Sequence, residues 1–333
     1  MSREEKRRLR HTYNVIGLTL LILYISILIA VVIGYAVYYS NPANQIVYGE
    51  NDIPIYPFGH VAIGLCVPAL AAMAVFAGYC LLAHYDPSEL FRTENIRPGE
   101  IFRFSMIILF FRQVCIFADP IIDSVLDRFG LEVTGFDYDI EHSLPTYLIE
   151  IFATVVLAPI GEELVFRGVV LRCSSKISQR FGIFFSAFIF GMMHGNPYQF
   201  LLGFINGIFL ALIAIRTGSL IPAMICHAVN NASGAVPLII LYFNEDMAHL
   251  VDLLMMIVFF TAGLIVTVRT FTSGDLKLPE YTMWHKARTL PILVTSWSTI
   301  TVMVFYIIDF IGSIDRLEIP EQILTEVIRT VFK

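Results

Sequence analysis

TYLIEIFATVVLAPIGEELVFRGVVLR, residues 146–172, is an apolar run long enough to cross a lipid bilayer, yet it carries Glu162, Glu163 and Arg167 in its second half. An ionisable group in hydrocarbon costs several kcal/mol unless it is paired or solvated, so such residues mark a functional site by default. Glu163 and Arg167 stand four residues apart, one helical turn, and can neutralise each other. Glu162 is five residues from Arg167 and points about 100° away from Glu163, so it faces somewhere else. The run therefore predicts a membrane helix with one structural and one chemically available carboxylate.

The rest of the chain places that helix among others like it. Of 333 residues, 57% are hydrophobic and 15% charged, well outside the range of soluble domains. Apolar segments lie near 14–39, 61–84, 101–118, 146–172, 183–195, 200–215, 219–243, 249–269 and 290–311. They predict an all-α, polytopic transmembrane bundle of about 8–9 spans, with 183–195 and 200–215 short enough to be tilted, re-entrant or shielded. Pro68, Pro159, Pro222 and Pro237 should kink or start helices. The first run is too long for the core of a secretion signal and is read as a retained span. The expected organisation is a basic N-terminal segment 1–13, a membrane domain 14–311 with its core at about 145–241, and a tail 312–333 compatible with an amphipathic surface helix. The five cysteines sit in or beside apolar runs at no metal-ligand spacing and read as small buried hydrophobes.

Charge orients the bundle. Lysines and arginines collect before the first span (Arg3, Lys6, Arg7, Arg8, Arg10), between the second and third (Arg92, Arg97, Arg103), after the fourth (Arg172, Lys176, Arg180), after the sixth (Arg216) and before the ninth (Arg269, Lys277, Lys286, Arg288). The alternate ends are acidic or neutral apart from Arg128: Glu50, Asp52, Asp119, Asp123, Asp127, Asp137, Asp139, Glu141, Glu245 and Asp246. Basic flanks stay cytoplasmic, so the N-terminus is expected inside and, with nine spans, the C-terminus outside. No basic stripe with interleaved aromatics suggests a nucleic-acid partner; membrane lipids are the surroundings expected.

Two more segments carry polar groups to the same depth. Glu162 lies 10 residues before Arg172, His194 lies 12 after Gly182, and His227 lies 11 after Arg216. At about 1.5 Å per residue each is roughly 15–18 Å from the basic end of its helix. A shared cavity, opened toward the cytoplasm, is the simplest arrangement. Glu162 suits a general base that takes a proton from water, and His194 can share or orient that water. His227 and Asn231, one turn apart on one face, can both donate hydrogen bonds to the oxyanion of a tetrahedral intermediate. Phe190, one turn before His194, shapes the apolar wall, and Arg112 in the third span is expected to pair with an acidic cavity residue.

Gly161-Glu162-Glu163-Leu164-Val165-Phe166-Arg167, Phe190-Gly191-Met192-Met193-His194 and His227-Ala228-Val229-Asn230-Asn231 resemble, in order, the EExxxR, FxxxH and HxxxN signatures of the intramembrane CAAX proteases and bacteriocin-processing enzymes, the Abi family. The resemblance covers about Pro145 to Leu241. It implies a CAAX-protease core and peptide-bond hydrolysis in the membrane. Glu162 and His194 would then activate water, His227 and Asn231 would stabilise the oxyanion, and the substrate would be a hydrophobic or lipidated peptide or protein. No cofactor is expected in that reading. A zinc enzyme is the second reading, with Glu162, His194 and His227 as ligands, though no HExxH helix is present to fix two of them. The other classes open to the sequence are a non-proteolytic immunity or scaffold protein that binds a peptide in the same cavity, and a proton-coupled transporter, which the lack of an inverted repeat disfavours.

Overall fold

The computed structural model describes residues 2–49, 52–134, 139–275 and 296–316. The helices in chain order are α1 (Arg3–Tyr39), α2 (Phe58–Leu82), α3 (Pro98–Asp127), α4 (Leu144–Phe152), α5 (Ala158–Val165), α6 (Arg172–Ser175), α7 (Gln179–Met192), α8 (Pro197–Thr217), α9 (Ile221–Phe243), α10 (Glu245–Thr272) and α11 (Trp297–Gly312). Six of these are long and apolar enough to cross a membrane: α1, α2, α3, α8, α9 and α10. The run expected over 146–172 is one rod in which α4, α5 and α6 follow without a break, joined by the wider π turns Ala153–Leu157 and Phe166–Leu171. Counting it once, the described rods correspond to the nine apolar segments, in an all-α polytopic bundle. Residues 290–295 of the last segment, the tail from 317 onward and the basic positions Lys277, Lys286 and Arg288 lie outside the described residues.

Local chemistry sets the helix ends. Ser2 and Glu5 form a reciprocal capping box at the start of α1. Asn196 and Asn244 accept from the backbone N–H of Gln199 and Met247 at the starts of α8 and α10. Pro98, Pro197 and Pro222 occupy first-turn positions, where a missing N–H costs nothing, and Gly218 closes α8 at φ 68°. Pro68 and Pro237, by contrast, lie inside α2 and α9.

Among the described residues, five short strands gather at one end of the bundle: β1 (Val47–Tyr48), β2 (Pro54–Tyr56), β3 (Leu131–Val133), β4 (Asp139–Ile140) and β5 (Ile314–Arg316). β2 pairs antiparallel with β1 and parallel with β4, and β3 pairs antiparallel with β5. Because β3 follows α3 and β5 follows α11, the chain at residue 316 lies at the opposite end of the bundle from Ser2.

The other end carries the arginines. Arg216 binds Glu100 at 2.9 Å and the Asp275 carbonyl at 2.6 Å, Arg103 lies 3.3 Å from Asp275, and Arg172 bridges Tyr85 and Glu89. Between the two ends, Val165, Phe166, Val169 and Val170 of the rod are fully buried, and α1 and α10 turn side chains such as Leu28, Val32, Leu254 and Val258 outward, as lipid contact requires. α11 closes against α1 through hydroxyls: Ser296 and Ser298 donate to Asn14, Thr299 to the Tyr13 carbonyl at 3.2 Å, and Tyr24 reaches Asp309 at 3.0 Å.

Candidate active site

Glu163 is fully buried and paired with Arg167, Nη1 to Oε1 at 2.8 Å, as the four-residue spacing predicts. The sequence does not disclose its second partner: the same Oε1 lies 3.0 Å from His227 Nδ1 on α9. Arg167 also donates to the Gly207 carbonyl of α8 at 3.3 Å, and its guanidinium lies 4.5 Å over the Phe190 ring. Four helices thus meet around one neutralised charge.

Glu162 points elsewhere, into a cavity of about 510 Å³ that is also lined by Phe166, Phe190, His194, Asn206, His227, Asn230 and Asn231. Its Oε2 lies 3.7 Å from His227 Nε2, so His227 stands between the two adjacent glutamates, one at each ring nitrogen. With Nδ1 donating to Glu163, a neutral ring accepts at Nε2; it donates there only when it carries both protons.

His194 is not within its helix. α7 ends at Met192, and His194 follows in the turn to α8, where Gly195 takes φ 70°. The apolar segment expected over 183–195 runs past this helix end, because Met193 continues the hydrophobic run while the left-handed glycine stops the helix. The turn fixes the imidazole: Nδ1 lies 2.8 Å from the Phe190 carbonyl, which can only accept, so the other nitrogen is left unprotonated for the cavity when the ring is neutral. Phe190 presents T-shaped contacts to both rings, with centroids 5.0 Å from His194 and 5.7 Å from His227.

Asn231 shares the cavity with His227, but its Nδ2 already donates to the Thr154 carbonyl in the first π turn, at 2.8 Å. One amide hydrogen remains for another acceptor. Its Oδ1 accepts from Asn230 at 3.0 Å, and Asn230 Oδ1 accepts from Asn206 at 3.2 Å. This chain of amides joins α8, α9 and the rod. The sequence signal for it is slight: Asn206 is an isolated amide in a largely apolar helix, 24 residues from its partner.

Two expectations are not met. Beyond the cluster, the cavity is lined by Gly64, Glu150, Gln199 and Leu238, all near the strand-bearing ends of their helices. None of the arginine-rich end's Arg103, Arg172 or Arg216 lines it, and Val165, Val169 and Val170 toward that end are fully buried. Arg112 lines it too, yet forms no ion pair among the described residues. For the zinc reading, no three His, Cys, Asp or Glu side chains converge as a ligand set among the described residues, although both Nδ1 atoms face oxygen acceptors, an arrangement that leaves each Nε2 free to bind a ligand.

Residues 144–233 match the family model described as Rce1-like, type II CAAX prenyl endopeptidase Rce1-like. The matched segment begins with α4 and ends just past Asn231, so it contains all three motifs. The match bears out the resemblance carried by those motifs and supports an intramembrane protease of the CAAX type. No curated protein and no solved structure matches the chain.

Proposed function

We propose, taking residues 144–233 as the core of a CAAX-type intramembrane protease, that the chain hydrolyses a peptide bond near the end of a hydrophobic or prenylated peptide held in the 510 Å³ cavity. The observation that carries this reading is the placement of the Glu162 carboxylate against His227 in a space that His194 also lines. Glu162 is the general base, and His194 holds the attacking water through its cavity-facing nitrogen. The Glu162 proton then passes to the departing amine.

His227 takes the oxyanion from Nε2 while Glu163 balances the charge at Nδ1. Asn231 adds its second amide hydrogen, held in direction by Thr154 and Asn230. Phe190 and Phe166 keep the surroundings apolar, which strengthens each of these electrostatic contacts. No metal takes part in this scheme.

The test is hydrolysis of an S-farnesylated peptide by the purified chain, with products identified by mass spectrometry. Loss of a positioned general base typically costs about 10²–10⁴ in rate, and Glu162→Gln should fall in that range while retaining the wild-type unfolding temperature. An undiminished rate in the folded variant removes Glu162 from the mechanism.

A further inference from the structure

Asn206 is a cavity-lining amide that the catalytic scheme leaves unused. It lies on α8, one turn after Gly203, the position packed against the His194 ring, and is 4% exposed. Its Oδ1 is buried and has no hydrogen-bond partner among the described residues. A buried acceptor left unpaired costs stability, whereas an apolar side chain of similar size would carry no such cost. Stability therefore does not explain an asparagine at this position.

The direction of the amide chain does. The chain ends on the Thr154 carbonyl, which can only accept, so Asn231 must turn Nδ2 toward it. Asn231 Oδ1 then takes the Nδ2 hydrogen of Asn230 at 3.0 Å, and Asn230 Oδ1 is left for Asn206 Nδ2 at 3.2 Å. Every donation runs the same way, from α8 through α9 to the rod, and the unpaired oxygen falls at the far end, on Asn206. Bonds aligned in this manner polarise one another. Without the first donor, Asn230 is free to turn its amide over and offer Oδ1 to Asn231. The second amide hydrogen of Asn231 would then go to Asn230 instead of to the cavity.

Resting on the reading of Asn231 as an oxyanion donor, we propose that Asn206 is a positioning residue for the reaction: it locks the Asn230 amide and, through it, keeps a hydrogen of Asn231 directed at the oxyanion. α8 then serves both halves of the site. Gly203 packs against the imidazole that holds water, and Asn206 stands behind the amide that meets the developing charge.

The test is a cycle of peptide hydrolysis by the purified full-length chain, with an S-farnesylated peptide as substrate: wild type, Asn206→Leu, Asn231→Ala and the double variant. Removing one oxyanion donor costs about 10²–10³ in kcat, and Asn231→Ala sets that ceiling. Asn206→Leu should lower kcat by at least about ten-fold, with KM within about two-fold and an unfolding temperature no lower than that of wild type. In the Asn231→Ala background the same change should alter kcat by less than about two-fold, because no donor remains to be oriented. Asn230→Leu, which cuts the chain of amides at its middle, should match Asn206→Leu and add nothing to it. A ten-fold loss that persists in the Asn231→Ala background overturns the proposal, and so does a loss confined to KM. If the leucine variant does not fold, Asn206→Ala replaces it in the cycle with the same outcomes. A wild-type chain that leaves the peptide intact, or an Asn231→Ala variant at full rate, refutes the oxyanion reading and this role with it. Full rate in Asn206→Leu beside an impaired Asn231→Ala refutes the positioning role alone.

Discussion

Two neighbouring glutamates have opposite fates because a helix turns about 100° per residue. Glu163 disappears between Arg167 and His227, while Glu162 keeps a side chain 21% exposed to the cavity. That division was legible in the sequence, since only Glu163 stands a full turn from Arg167. The second bond of Glu163 was not, because nothing local ties α5 to a histidine 64 residues away. Breaking a buried ion pair leaves the surviving charge uncompensated and costs about 3–5 kcal/mol. Arg167→Leu should therefore lower unfolding stability by that order in denaturant titrations of the detergent-solubilised chain. A loss below about 1 kcal/mol, the level of an exposed pair, would contradict the burial of Glu163 and Arg167.

At the level of elements, the two π turns flank the glutamate motif, and each offers a carbonyl to another helix: Thr154 to Asn231 and Phe166 to the Ser186 hydroxyl at 3.0 Å. Apolar periodicity finds the rod but cannot find these turns, since a hydrophobic run reads the same with one extra residue per turn. The α7–α8 pair depends on glycines for the same kind of close approach. An added Cβ at Gly203 would stand 3.2 Å from Gly191 Cα and 3.3 Å from His194 Nδ1. Gly203→Ala should thus displace the imidazole rather than unfold the pair. The expected result is a fall in kcat of more than ten-fold with KM within two-fold and an unchanged unfolding temperature; a change confined to KM would place Gly203 in substrate binding instead.

The whole molecule separates a basic, ion-paired end from a strand-bearing end, with the cluster between them and the cavity reaching toward the strands. Charge alternation along the sequence anticipated the two ends, because arginines and acidic residues segregate by loop. The direction of the cavity depends on which side chains fill the space beside Glu162, and no spacing rule reports that. With the basic end cytoplasmic, single cysteines at positions 2 and 313, in a chain otherwise free of cysteine, should react with an impermeant maleimide from opposite sides of sealed vesicles, position 2 from the cytoplasmic side. Labelling of both from one side would overturn the crossing of α1 and α11. Glu162 and His194 are proposed to act on one water molecule, and residues that act as a unit are strongly non-additive. The most direct measurement is a cycle of peptide hydrolysis rates for wild type, Glu162→Gln, His194→Ala and the double variant. Each single change should cost at least about 100-fold, with the double variant no slower than the worse single; losses that multiply, or a single variant that keeps its rate, would contradict the shared water.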